Sequence, residues 1–100
     1  MHLNQFGSTL FINTQFDMSA YVTLNILMTR PNGTIVTLPA TLGTAPFTTP
    51  TGEAWAANQY VSYIFVGGDL IFTGTHQVQV LYTDSTQEIP SNMTYFTVYP

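Results

Sequence analysis

Five carboxylates, two histidines and one tryptophan are the residues of this chain with chemistry to offer. The acids are Asp17, Glu53, Asp69, Asp84 and Glu88. Glycoside hydrolysis needs two of them on rigid, facing positions. Each lies instead among Ser, Gly, Thr and Asn, the company that turns favour because Asp and Asn side chains bond their own backbone. They read as solvated turn residues. Zinc needs three or four converging ligands. His2 and His76 have no His or carboxylate two or four residues on, so His76 reads as a hydrogen-bonded core or rim residue. Calcium needs six to eight oxygens, and the 84–88 turn supplies only Asp84 and Glu88 as carboxylates. No serine stands in a G-x-S-x-G elbow. Gly67-Gly68-Asp69 lacks the lysine of a phosphate loop. The expectation is a protein without catalytic, metal or cofactor residues, and therefore not an enzyme.

Trp55 is the one residue that fits a binding site. With Asn58 and Tyr60 close behind it, it could form an aromatic platform with an amide neighbour for a sugar. Against that stands the larger gain from burying an aromatic, which would make Trp55 a plug at one end of the core. The two readings stay open in the sequence.

The elements that hold these residues are strands. Val22–Thr29 alternates apolar and polar residues with Leu27 the one exception, breaks at Pro31-Asn32-Gly33, and returns through Thr34-Ile35-Val36-Thr37-Leu38, rich in β-branched residues. Period-two alternation puts one set of side chains on one face, and the break suits a hairpin loop. Ser8–Thr14, Tyr60–Val66, His76–Tyr82 and Met93–Tyr99 read as further strands, with a short one around Ala45–Thr49. Glu53–Asn58 reads as a helical turn or a bulge, and Thr83–Asn92 as a polar turn. Met1–Phe6 reads as a terminal arm or short edge strand. Pro39, Pro46 and Pro50 make 39–58 hard to read, since proline is excluded from central ladders. About seven strands with no helical period predict an all-β fold, a two-sheet antiparallel immunoglobulin-like sandwich forming a single domain over 1–100.

The bulk composition narrows the function further. Charged residues are 6% of the chain, with one arginine, no lysine and a net charge of −4, against about 25% charged in ordinary domains. Nucleic-acid binding needs several cations, so that class is not expected. There is no cysteine and no long apolar run, so neither a disulfide framework nor a membrane helix is expected. The N-terminus shows no signal-peptide pattern.

Low charge is what the core of an interface favours. Several strands also carry a large apolar residue on the face opposite their core residues. Phe11 opposes Leu10 and Ile12, Leu27 opposes Ile26 and Met28, and Leu81 opposes Val80 and Tyr82. Two-sided apolarity in antiparallel strands implies a covered outer face. Phe11, Leu27, Leu81, Tyr95 and Tyr99 are therefore the expected contact residues for neighbouring subunits.

A set of short motifs in order carries a resemblance: Thr9–Asn13, Asp17 after a turn, Leu24–Met28, the R-P-N-G-T turn at Arg30–Thr34, Tyr63 and Phe65, Gly68-Asp69-Leu70, Gly74-Thr75 before an alternating strand, and Phe96-Thr97-Val98. Together they resemble the small immunoglobulin-like virion proteins of tailed bacteriophages, similar to the N-terminal domain of baseplate upper proteins. That family commonly shows K-P-D-G-T at the turn and an aromatic at the position of His76. The resemblance implies a structural subunit located in the virion: a capsid decoration, neck, tail or baseplate, or fibre-anchoring protein. Its implied partners are other virion proteins and copies of itself. The alternative is a glycan-binding host-recognition module using Trp55, Asn58 and Tyr60.

Overall fold

The structure is a computed structural model that describes residues 1–100. It contains ten strands and no helix: β1 (Thr9–Asn13), β2 (Thr23–Thr29), β3 (Ile35–Pro39), β4 (Thr41–Leu42), β5 (Phe47–Thr48), β6 (Ala54–Trp55), β7 (Tyr60–Ile64), β8 (Gly74–Thr83), β9 (Glu88–Pro90) and β10 (Thr94–Val98). All strand pairs are antiparallel. They form a three-stranded sheet in the order β1-β7-β4, a five-stranded sheet in the order β10-β8-β2-β3 with β9 also on β8, and the small hairpin β5-β6.

The β2–β3 hairpin follows the sequence pattern closely. Its turn is closed by the Arg30 amide donating to the Thr34 carbonyl at 2.9 Å and the Gly33 amide donating to the Arg30 carbonyl at 2.9 Å. Gly33 sits at φ +87, where a side chain would be strained. The Asn32 carboxamide accepts from the Thr34 amide at 3.1 Å, an Asx bond that holds the turn from inside.

β8 is the spine of the larger sheet. Its seven residues Gln77–Thr83 pair with β2. Its other edge is shared, with β10 along the first half and β9 along the second. Ser91, buried between β9 and β10, bridges the change of partner. Its hydroxyl accepts from the Val80 amide at 2.9 Å and its own amide donates to the Val80 carbonyl at 2.8 Å. No ladder group of Val80 is left unpaired there, as burial requires.

One core unites the two large sheets. Leu10, Ile12 and Val61 come from the three-stranded sheet. Leu24, Ile26, Met28, Leu38, Val78, Val80, Tyr82 and Val98 come from the five-stranded one, and Met18, Phe65 and Leu70 close the ends. Burying each such large side chain is worth about 1.5–3 kcal/mol.

The sequence differs from the structure in three stretches. The strand count rises from about seven to ten because β4, β6 and β9 are segments of only two or three residues. Glu53–Asn58 is neither a helical turn nor a bulge: Ala54–Trp55 is a strand paired with Phe47–Thr48. The 83–92 region is not only a turn, since Glu88–Pro90 continues the sheet along β8. The arm at 1–6 lies beside the end of β10. His2 bridges Tyr99 in parallel, and the Leu3 amide donates to the Tyr99 carbonyl at 2.7 Å.

Candidate functional site

Strand register decides which side chains share a face. Residues directly opposite one another in a ladder point the same way. On the five-stranded sheet the outward set falls into rows. Tyr95, Gln77, Thr29 and Ile35 form one, Gln79, Leu27 and Thr37 the next, and Pro90, Leu81, Asn25 and Pro39 a third. Glu88, opposite Thr83, is the only charged residue at these ladder positions. Ile35, Thr37, Pro39, Pro90 and Tyr95 are exposed on this face.

The face is not flat. A shallow groove of about 90 Å³ runs over it, lined by Leu27, Thr29, Ile35, Gln77, Gln79 and Met93. Its rim projects Ile35, 64% exposed, and Met93, 49% exposed, and Tyr95, opposite Gln77 in the ladder, is 58% exposed. Leu27 and Leu81, on central strands, are half-buried by their neighbours on the face. The Gln79 amide is held by donating to the Ser91 carbonyl at 2.8 Å, so a polar group of the groove floor has a fixed direction. Three of the predicted contact residues, Leu27, Leu81 and Tyr95, thus lie on one surface. Tyr99 lies past the end of β10, beside His2, with ring centroids 6.2 Å apart.

Phe11 belongs to the other sheet. Its ring is outward, but Phe47 of the β5-β6 hairpin stacks on it at 4.9 Å and 16°. Phe47 in turn meets Trp55 and Tyr60 at 5.8 and 5.7 Å. The chain therefore covers part of this outer face itself. Trp55 is neither an end plug nor a bare platform. It is a half-buried member of this cluster, with its indole N–H donating to Glu53 Oε1 at 2.7 Å. Tyr60 is buried, and its hydroxyl donates to the Ala45 carbonyl at 2.7 Å. Asn58 has φ +63, and its backbone joins two loops: its amide donates to Gly43 and its carbonyl accepts from Met18. The polar ends of Trp55 and Tyr60 are thus committed within the chain. The cluster was not legible in the sequence because its four rings come from four separate strands.

The acids are engaged locally. Asp17 accepts from the Ser19 amide at 2.9 Å, which holds its carboxyl below the usual range. Asp84 accepts from the Thr86 and Gln87 amides, the Thr86 hydroxyl and the Tyr82 hydroxyl. Led by the Thr86 amide, these bonds pull its pKa down to about 2. Asp69 departs from the expectation of a solvated turn residue: it is buried, and accepts from the Tyr63 hydroxyl at 2.7 Å and the Val66 amide at 2.8 Å. Burial, with Asp69 adding to it, pushes the Tyr63 hydroxyl up to about 12. No three His, Asp or Glu side chains converge where a metal ion could sit.

His76 is fully buried in the core-facing row of β8 and stacks on Phe96 at 5.0 Å and 12°. Its Nδ1 lies 3.2 Å from the Gly74 carbonyl, while Nε2 meets no partner. Arg30 follows Thr29, the last residue of β2 paired with β8. Its guanidinium donates to the Gly68 and Asp69 carbonyls and lies over the Phe72 ring at 5.7 Å. The one arginine of the chain thus pins the 68–72 loop to the hairpin turn.

No family model, curated protein or solved structure matches this chain. The outer face of the five-stranded sheet, with its groove and near absence of charge, is the surface best formed for contact with another molecule.

Proposed function

We propose that this chain is a non-enzymatic structural subunit of a tailed-bacteriophage virion, built as an immunoglobulin-like β-sandwich. It acts through repeated contacts with other virion proteins and with copies of itself, in a capsid-decoration, neck, tail or fibre-anchoring position. The observation that carries this reading is the outer face of the five-stranded sheet. It combines Leu27, Leu81, Ile35, Met93 and Tyr95 with uncharged Gln and Thr around a groove. Free monomers normally cover about 25–35% of their surface with charged residues, and contiguous apolar surface rimmed by polar groups marks an interaction site.

The phage assignment rests on the resemblance of the short motifs, chiefly the Arg30–Thr34 turn. That turn stands at one end of the β2–β3 hairpin, which supplies Leu27 and Ile35 to the face. The test is a low-resolution image of the native particle with the protein labelled. Density at symmetry-related positions supports the reading. Its absence from purified particles contradicts it.

A further inference from the structure

The proposed subunit role leaves open what covers the five-stranded sheet, and the geometry points to a second copy of this chain. We infer that the outer face of β10-β8-β2-β3 packs on the same face of another molecule about a two-fold axis near Leu27 and Gln79. The inference rests on the reading of the chain as an assembling subunit, and it names one of its contacts.

Charge is the first argument. The chain carries −4 and a single arginine, and that arginine is tied to the Gly68 and Asp69 carbonyls. Two copies meeting through the Asp84–Glu88 turn or the Glu53 hairpin would bring carboxylates together without a cation between them. On this face only Glu88 is charged, at the far end of the ladder from the groove. A partner rich in either sign of charge finds little here to pair with. Another neutral sheet face of Thr, Gln and aliphatic side chains fits, and the chain itself supplies one with the same twist, as aligned sheet packing requires.

Area is the second. Four strands about 4.8 Å apart span roughly 19 Å, and ten residues of β8 extend about 33 Å. Because the other strands are shorter, each copy offers roughly 500 Å², and a face-to-face pair buries about 1,000 Å², the lower bound for a specific interface. Using the whole face is therefore necessary, and the pair is expected to be weak and concentration-dependent. Shape agrees: the face carries a groove of about 90 Å³, and Ile35 stands exposed at its rim.

The absence of cysteine makes the test clean. In Leu27→Cys a short bismaleimide can join only two copies, near the axis, while Thr9→Cys places the thiol on the other sheet. Sedimentation of the wild-type chain is expected to move from one to two chains as concentration rises. Leu27→Cys is expected to cross-link at least tenfold more than Thr9→Cys. Leu27→Glu and Thr37→Glu, the latter at an exposed position, are both expected to stay monomeric with an unchanged circular-dichroism spectrum. A wild-type chain monomeric at millimolar concentration, or equal cross-linking from Thr9→Cys, overturns the inference. If that monomer is nonetheless found in particles, the subunit reading survives without it. A dimer from a chain absent from particles leaves the pairing and removes the virion role.

Discussion

Arg30 and His76 flank the end of the β2–β8 ladder, each one residue beyond its last pair, Thr29 and Gln77. The imidazole is fully buried, and its Nε2 has no partner to receive a second proton. Burial holds its pKa below the ordinary 6.5. The Gly74 carbonyl works against that shift, and the Arg30 charge adds to it.

A group held below its unfolded pKa binds fewer protons folded than unfolded, so stability falls as pH drops. For His76 the contribution is complete above about pH 6.5 and is lost as pH falls from there toward the lower folded value. Melting temperature measured from pH 7.5 to 5 is expected to fall over that window. His76→Phe keeps a ring against Phe96 and is expected to flatten the slope. An equal slope in the variant contradicts the assignment to His76.

Tyr63 and Asp69 give a second titration, of opposite direction. The Tyr63 hydroxyl is raised to about 12. The stability it contributes is present below pH 10 and is lost as pH rises through 10 toward 12. Asp69→Asn is expected to bring the ultraviolet tyrosinate titration of Tyr63 back toward 10. Tyr63→Phe removes one donor from a buried carboxylate and is expected to cost about 1.5–3 kcal/mol in urea denaturation, the range for a hydrogen bond to a charged group.

Gly43 is required by packing. A Cβ there would fall inside the ring of Tyr60, against its side-chain carbons Cε2 and Cζ. Tyr60 is fixed in turn by its bond to Ala45 and by Phe47 and Trp55. Gly43→Ala is expected to destabilise by about 1–3 kcal/mol, the usual range for overpacking, with changed near-ultraviolet circular dichroism from Trp55. Placing Tyr60→Leu in the same chain is expected to recover part of the loss, whereas additive losses contradict a direct clash.

These contacts show where sequence reasoning reaches and where it stops. The β2–β3 hairpin was legible because a strand that alternates except at Leu27 and a Pro-Asn-Gly turn specify both period and loop. The same alternation correctly set His76, Val78, Val80 and Tyr82 on the core side, and placed Leu27, Leu81 and Tyr95 outward. Strands of two residues, such as Thr41–Leu42 and Ala54–Trp55, hold no period to detect, and Pro39, Pro46 and Pro50 argue against them. Asp69 looked like any acid after two glycines. Its burial depends on Tyr63 and Val66, which reach it only once the chain has turned. Phe11 was rightly placed outward, but the hairpin that covers it was not legible. The groove could not be foreseen, because it forms between β2, β3, β8 and the residue preceding β10.

The central claim is that this chain serves as an assembly subunit through a nearly uncharged face. Contacts between exposed charges are screened over about 8–10 Å at ordinary ionic strength, whereas apolar burial is not weakened by salt. The direct measurement is the copy number of this protein per purified particle before and after washing in 1 M sodium chloride. A fixed copy number retained through the wash is the expected result, with loss in Leu27→Glu particles. Release of the wild-type protein by salt, or a variable trace amount before it, contradicts the account.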